Sequence, residues 1–589
     1  MKRDFLFRII ICLLFFLSTN CSKLHLNNPQ DPFTINPLLN LLLNGAGSLF
    51  GAGAATQEIV TPPLISNAIN LSTLSSGFLI GTATTEVKQV EVSIDNGSYV
   101  AASGSSNWKF AIPSGSITWT NGSYHTLKVR GKNQIGDVSS DTTIRIKKGR
   151  NKDINGDGYP DLVIGAKGLS KVYIFYGSKN GISSKSSADA DLILNGVTVS
   201  DNFGSSISLG DINSDGFADI CVGAFMFSSG TGQIYIFYGN SSGISILTAS
   251  TAATKITGVS ATDNAGNVAV GDINRDGYDD LAVGAVGVAS STGAVYLFHG
   301  SSNGILTGLT TSAITTLTGF ALSDSFGTSI TISDINGDGF AEVIVGAFSA
   351  NSNTGGVYVF NGSSSGITSA NSSLANSIIL GTASVGQVGG SLSANDVNGD
   401  GKNDFLIGGI GVNGGLGSNQ GQAFLFYGQS NNFGSITTSS ASSTFSGAAA
   451  NDAFGTVGMD DLNCDGYADI FIGARGRNSN IGQSYVFLSQ GTSGVSTALA
   501  SSANFTQTGI VTGDLLGYVT GTDINGDGYA DLIVGSPNRD AGQGSFNQGE
   551  VYIFKGRASG SISASASGAD TILTGVIGGN NHFGQALPN

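Results

Sequence analysis

Residue types that usually carry chemistry are scarce in this chain. Four histidines, four cysteines, three methionines and two tryptophans occur in 589 residues. Cys12 lies in an N-terminal apolar segment, while Cys21, Cys221 and Cys464 are far apart in sequence. No disulfide framework is visible, and Cys221, within an apolar run, reads as a small buried residue. His25, His125, His299 and His582 have no nucleophile motif beside them. Neither a Gly-x-Ser-x-Gly elbow nor a phosphate-binding loop stands out, which argues against an enzyme. Charged residues are 11% of the chain, where roughly 25% is usual. The net charge of −15 disfavours a nucleic-acid partner. Nothing reads as a long amphipathic helix, and the apolar run Ile9–Leu17 is too short to cross a bilayer.

Glycine, in contrast, is abundant: 88 residues, about twice its usual share. With 40% hydrophobic residues the chain is not a disordered polar polymer. The combination predicts an all-β protein with many tight turns.

The acidic residues are not scattered. The phrase Asp-x-Asn-x-Asp-Gly, with an acid at the ninth position, occurs seven times. Successive starts are 58, 61, 62, 62, 65 and 62 residues apart. The first copy carries Asp153, Asn155, Asp157, Tyr159 and Asp161 at its odd positions. The second carries Asp211, Asn213, Asp215, Phe217 and Asp219; the third Asp272, Asn274, Asp276, Tyr278 and Asp280. The fourth has Asp334, Asn336, Asp338, Phe340 and Glu342, and the fifth Asp396, Asn398, Asp400, Lys402 and Asp404. Asp461, Asn463, Asp465, Tyr467 and Asp469 make the sixth, and Asp523, Asn525, Asp527, Tyr529 and Asp531 the seventh.

A hard cation takes six to eight oxygens, and alternate residues of a tight loop point inward. Positions one, three and five would offer side-chain oxygens, position seven its backbone carbonyl, and position nine a bidentate carboxylate. Position seven is free to vary because only its carbonyl is used. No His or Cys stands at a ligand position, which argues against zinc. Mg²⁺ suits a flexible all-protein cage less well than Ca²⁺. EF-hands share the first six positions but need an acid at position twelve and flanking helices; here strands flank the loops. The expected cofactor is Ca²⁺, up to seven ions, one per repeat. Seven divalent ions would bring the formal charge from −15 to −1.

The N-terminus reads as an address. Lys2, Arg3 and Arg8 precede the apolar run, the pattern of an export signal over residues 1–20. Leu17-Ser18-Thr19-Asn20-Cys21 resembles a bacterial lipoprotein lipobox, with Leu one place early and Asn20 where Gly or Ala is usual. The resemblance implies lipidation of Cys21 and a membrane anchor without a spanning helix. Residues 21–61 read as a flexible tether.

Residues 62–148 alternate with period two: Val90, Val92 and Ile94, then Trp108, Phe110 and Ile112, then Leu127 with Val129 and Ile144 with Ile146. Asp95-Asn96-Gly97 is a hairpin turn. Roughly seven short strands predict an immunoglobulin-like β-sandwich. It resembles the bacterial modules that act as stalks.

From residue 150 to 589 each unit supplies four strands per ~60 residues, the size of a propeller blade. A Phe-Gly element precedes the loop, and a Gly-Ala strand and an aromatic strand follow it. Phe203-Gly204, Phe326-Gly327, Phe454-Gly455 and Phe583-Gly584 are intact. Ala265-Gly266, Val388-Gly389 and Leu516-Gly517 are altered, so their blades are expected to pack more loosely. These motifs resemble the FG-GAP repeats of integrin α-subunit propellers. The resemblance implies a seven-bladed β-propeller, with partners bound on the face opposite the calcium loops. The first loop has no Phe-Gly strand before it, and the last Phe-Gly has no loop after it. The two halves complete one blade, which predicts ring closure by the C-terminal strand.

Function is less constrained. A lipid-tethered, calcium-stabilised envelope protein with an adhesion or protein-binding propeller is expected, as a monomer, at the outer membrane or cell surface. Candidate binding segments follow the Gly-Ala strands, at 225–232, 286–293 and 475–482. A carbohydrate-binding protein and a structural envelope component remain open. The first would favour aromatic platforms, yet Trp108 and Trp119 both lie in the sandwich.

Overall fold

The structure, a computed structural model, describes residues 60–113, 119, 121–540, 547–560, 562–577 and 580–588. The expected signal peptide, Cys21 and the tether up to residue 59 lie outside the described residues. No helix among the described residues is long and apolar enough to cross a membrane.

Among the described residues, nine short strands, against roughly seven expected, form two sheets at the N-terminal end. One is led by Phe78–Thr82 and Asn107–Ala111, the other by Gln89–Ile94, Tyr124–Lys132 and Thr142–Lys148. Their inward residues, Leu79 and Trp108 from one and Val90, Val92, Leu127, Val129 and Ile146 from the other, share one core. Asp95 and Asn96 turn the hairpin at φ 48° and 62°, left-handed values that Asp and Asn tolerate.

Among the described residues seven further sheets follow, one per repeat. In the second, Ser206–Gly210, Asp219–Ala224, Gln233–Phe237 and Thr254–Thr257 pair in antiparallel order. All six residues of Asp219–Ala224 are buried. A strand covered on both faces reads as an apolar run, not an alternation. The faces of neighbouring sheets supply the cover: Val163, Val172 and Leu194 of the first repeat pack with Phe203, Ile220, Val222 and Tyr235 of the second. This is the β-propeller.

Each fourth strand is also met in parallel by a short stretch of the next repeat. Ile256 and Thr257 align with Gly308 and Leu309, and Leu573 and Thr574 align with Lys185 and Ser186. The second pairing joins the last repeat to the first. A further link lies nearer the channel, where Gly165 donates to Ala586 O at 3.0 Å and Gly584 donates to Gly165 O at 3.1 Å. Phe583 packs edge-on against Tyr173 and Phe175, as Phe203 does against Tyr235 and Phe237 one repeat later. The C-terminal segment thus fills the Phe-Gly place of the first blade.

The altered Phe-Gly elements are not loosely packed. Ala265, Val388 and Leu516 are fully buried in the same position as the phenylalanines. The glycines explain the rest of the motif. A Cβ on the Gly-Ala glycine would strike the carbonyl oxygen of the next repeat's Phe-Gly glycine. The pairs are Gly165 with Gly204, Gly223 with Gly266, Gly284 with Gly327, Gly346 with Gly389, Gly408 with Gly455, Gly473 with Gly517, and Gly535 with Gly584. The seventh pair spans the closure.

The sandwich is not a free spacer, the role its stalk-like sequence implied. Asn67 donates to Gly158 O at 2.8 Å, Asn151 to Gly216 O at 2.9 Å, and Lys147 to Asn395 Oδ1 at 2.8 Å. It sits on the acidic loops of the propeller.

Candidate functional site

Seven loops at one end of the propeller hold the repeated acids, and each folds by the same internal wiring. The first Asp accepts through one oxygen from the amide of the sixth-position glycine, as in Gly158 to Asp153 at 2.8 Å and Gly216 to Asp211 at 2.9 Å. That glycine adopts φ near +90° in every loop, for example 98° at Gly158 and 91° at Gly216. Only glycine takes this conformation at little cost. The third-position Asn accepts from the amide of the fifth residue, at 2.9 Å in Asp157 to Asn155. The fifth Asp accepts from the seventh amide, at 3.0 Å in Tyr159 to Asp157.

The ninth acid makes a bond that sequence reasoning missed. One oxygen accepts from the amide at position two, the other from an amide just beyond the third strand. For Asp219 the donors are Ile212 at 2.9 Å and Gly239 at 3.0 Å; for Asp280 they are Ile273 and Gly300, both at 2.9 Å. Asp161, Asp404, Asp469 and Asp531 repeat the pair. Glu342 accepts from Ile335 at 2.9 Å and also takes the Asn336 amide at 3.0 Å. These acids clamp the loop to the end of its own blade. The signal was present in the invariant apolar residue at position two, which is buried in every copy.

Burial dominates their electrostatics. It pushes Asp153 up to about 6, Asp211, Asp272, Asp404 and Asp461 up to about 7, and Glu342 and Asp531 up to about 8. Asp161, Asp219, Asp280, Asp469 and Asp523 are raised well above the carboxylate range, again chiefly by burial. Neighbouring loop acids add to the rise. Lys402 pairs with Asp400 at 3.4 Å, a partly exposed contact.

The donor set is all oxygen, with three acids and one amide side chain per loop, which fits a hard divalent cation. The conformation described turns these oxygens onto backbone amides. Among the described residues no three His, Cys, Asp or Glu side chains are gathered as a metal-holding group. Each carboxylate oxygen has a second lone pair, so the amide bonds do not exclude a cation.

Four cations enter the same end, Lys147 and Lys148 from the last strand of the sandwich and Arg150 and Lys152 from the linker. Lys147 and Lys148 are buried, and Lys152 donates to Gly521 O at 3.0 Å and Arg150 to Ile332 O at 3.2 Å. Burial lowers the Lys152 ammonium to about 8, with Asp460 opposing the shift. Asp279 is buried near Arg150 and Lys148, and Asp460 is half-buried near Lys152 and Lys147. Both acids stand beside a loop where most other repeats carry uncharged residues. That exception was legible, and so was the basic cluster. Ser76 donates to Asp153 Oδ2 at 2.7 Å, and Phe78 packs on Phe217 with centroids 5.4 Å apart.

At the other end, the segments after the Gly-Ala strands make tight turns, Phe227–Gly230, Val288–Ser291 and Arg477–Asn480, whose central residues take left-handed φ values, as at Ser228 (49°) and Asn478 (53°). Arg475 donates to the Tyr518 hydroxyl at 3.0 Å.

The FG-GAP repeat model matches residues 264–298, 326–360 and 519–554, and an FG-GAP-like repeat matches 153–222. Phosphatidylinositol-glycan-specific phospholipase D of Mus musculus is 35% identical over 133 residues, covering 19% of this chain and 16% of the relative. Integrin alpha-6 of Gallus gallus is 40% identical over 119 residues, covering 19% and 10%. The solved Dos1 propeller aligns over 80% of this chain and 93% of its own, at 11% identity and a TM-score of 0.34. The chain spans less than a fifth of the length of these two curated relatives. The matched stretches are FG-GAP repeats, and in its repeats the chain is similar to integrin α chains.

Proposed function

We propose that this protein is a calcium-stabilised, lipid-anchored protein of the cell envelope whose propeller binds a protein partner in adhesion. The observation that carries the reading is the polarity of the propeller. The acidic-loop end is covered by the sandwich, through Ser76, Asn67 and Lys147. The opposite end, with the segments around Arg475 and Arg477, is not taken by these contacts and is left for a partner. The similarity to integrin α repeats supports the same assignment.

Up to seven Ca²⁺ ions would be held by the odd positions of the loops. A bound ion would offset carboxylates that burial otherwise disfavours as charged species. Cys21 would carry the lipid. The role is binding, not catalysis: the stretch shared with the phospholipase covers only 16% of that enzyme. The chain is proposed to act as a monomer, without nucleic acid.

The test is binding of the mature chain to a panel of extracellular-matrix proteins and glycans, with Ca²⁺ and with chelator, with far-UV circular dichroism in parallel. Saturable binding to a matrix protein supports adhesion. Binding to glycans alone replaces it with a carbohydrate-binding role, and silence with an intact fold leaves an envelope scaffold.

A further inference from the structure

In every sheet of the propeller the antiparallel strand farthest from the channel leads into a short segment that opens with glycine, at 196–201, 258–263, 319–324, 381–386, 447–452, 509–514 and from 575 onward. These segments lie beside the turns that follow the Gly-Ala strands, at the end away from the acidic loops. Met226 donates to Asp201 O at 3.2 Å, Gly287 to Asp263 O at 2.9 Å and Gly476 to Asp452 O at 2.9 Å. Each repeat exposes a large apolar side chain here. Val199, Val259, Phe320, Val385, Val511 and Ile577 serve six repeats. The fifth has only alanines in its segment, and exposed Leu416 of the adjacent turn takes their place: a Cβ on Gly417 would stand 2.7 Å from Ala450 Cβ. Phe320 and its neighbour Leu322 are 70% and 72% exposed, and Ile577 73%. Single exposed apolar residues are ordinary, but one in every repeat at the same level makes a ring.

The ring shows no charge. The only charged residues of these segments are Asp201, Asp263, Asp324, Asp452 and Asp514, and all five are buried. Each turns inward onto amides of its own segment. Asp263 accepts from Val259 at 3.0 Å and Ser260 at 2.8 Å, and Asp514 from Val511 at 2.7 Å. Asp201, Asp324 and Asp452 accept from Thr198, Ala321 and Ala448. Inside the ring the surface is polar, built of turns such as Ser228-Ser229 and Asn478-Ser479. A protein interface has the reverse order, with apolar anchors at its centre and a polar rim. A bilayer instead offers an apolar phase at every point of a plane, which side chains spread around a ring reach together. With a net charge of −15 and no cation on the segments, nothing in the ring draws anionic headgroups.

We propose that this apolar ring beds into a lipid surface of zwitterionic, net-neutral headgroups. The tips around Phe320, Leu322 and Ile577 pass between headgroups to the acyl boundary, and the inward-turned acids keep charge out of it. The proposal goes beyond the adhesion reading, which places a protein at the same end. A protein at the centre and a bilayer across the rim exclude each other, so both are measured.

The test is co-sedimentation of the full-length chain with phosphatidylcholine vesicles in Ca²⁺, in a Cys21→Ser background so that no lipid is attached. Saturable partition is expected, little changed between about 0.1 and about 1 M salt because no charge pairs are involved. Phe320→Ser with Leu322→Ser is expected to weaken it by about tenfold or more with an unchanged melting temperature. The N-terminal segment is the same in both proteins, so any partition it causes survives the substitutions. Phe320→Trp should give a blue-shifted emission on adding vesicles, while Trp108 and Trp119, buried in the sandwich, stay silent. Absence of partition, equal partition with and without the serines, or no shift in the Phe320→Trp variant overturns the proposal. So does loss of matrix-protein binding on the serine substitutions when wild type ignores vesicles, which assigns the ring to a protein. Vesicle binding with no matrix protein bound supports the ring and overturns adhesion alone.

Discussion

Gly535 and Gly584 meet across the junction between the last and first repeats, so closely that a Cβ on Gly535 would collide with the Gly584 carbonyl. Six other glycine pairs make the same contact between neighbouring repeats. This one differs because its partner belongs to the C-terminal tail. Ring closure therefore depends on a backbone approach, and a single methyl group should open it. Gly535→Ala is expected to destabilise the protein by about 1–3 kcal/mol, the usual cost of overpacking. Deleting residues 575–589 should cost more, since it also removes Phe583 from its pocket. Thermal melting followed by circular dichroism checks both, and unchanged melting of the truncation would refute closure.

The two classes of loop acid should separate on mutation. Asp280 is buried and clamps the Ile273 and Gly300 amides. Asp276 is exposed. Asp280→Ala strands two buried N–H groups, at roughly 1–3 kcal/mol each. It should therefore lower the melting temperature with and without Ca²⁺. Asp276→Ala should leave the chelated protein nearly unchanged and reduce only the stabilisation that added Ca²⁺ gives. Melting curves of both variants in Ca²⁺ and in chelator decide the matter.

In the metal-free protein, stability should fall as pH rises. Asp211, Asp272 and Asp461 stand at about 7 in the fold, raised mainly by burial, against an ordinary value near 3.8. The folded chain then binds more protons than the unfolded one between these limits, so raising the pH favours unfolding. On account of these groups, chelated protein is expected to melt highest below about pH 4 and progressively lower as the pH rises toward 8. Saturating Ca²⁺ should flatten or reverse that slope, because the ion replaces the protons. A slope of the same sign and size with and without Ca²⁺ would contradict the assignment of these loops to a cation.

Much of the propeller was legible because its signals are periodic. A loop every ~60 residues, with Phe-Gly before it and Gly-Ala after it, yields sheets of one kind. The split blade could be read from Phe583-Gly584 alone. Other features left no period to read. The parallel pairing seen at Gly308 and Leu309 with Ile256 and Thr257 involves one to four residues per repeat with no shared pattern. The amide bonds of Asp219 and its counterparts are hidden because a ligand and an acceptor are the same residue type. The docking of the sandwich depends on Ser76, Asn67 and Lys147, each single and unremarkable in sequence. Asp279 and Asp460 could have been noticed as departures from the repeat.

Docking of the sandwich should respond to calcium. Ser76 bonds directly to Asp153, the first residue of the first loop, at 2.7 Å. Asn67 and Asn151 bond to the glycine carbonyls of the first and second loops. A change in loop conformation on losing the cation reaches these contacts without an intermediary. The junction between the two parts carries Lys147 and Lys148 at the end of the last sandwich strand, both buried, and Arg150 and Lys152 in the linker, both partly buried. All four are trypsin sites that a protease cannot reach while the parts stay together. Limited trypsin digestion is therefore expected to spare residues 147–152 in Ca²⁺ and to cut there early in chelator, releasing the propeller as a fragment. Asn67→Ala with Ser76→Ala should make the linker sensitive even in Ca²⁺, while the propeller's own melting changes little. Equal resistance in both conditions, with the chelated protein still folded, would show that the sandwich is held independently of the loops.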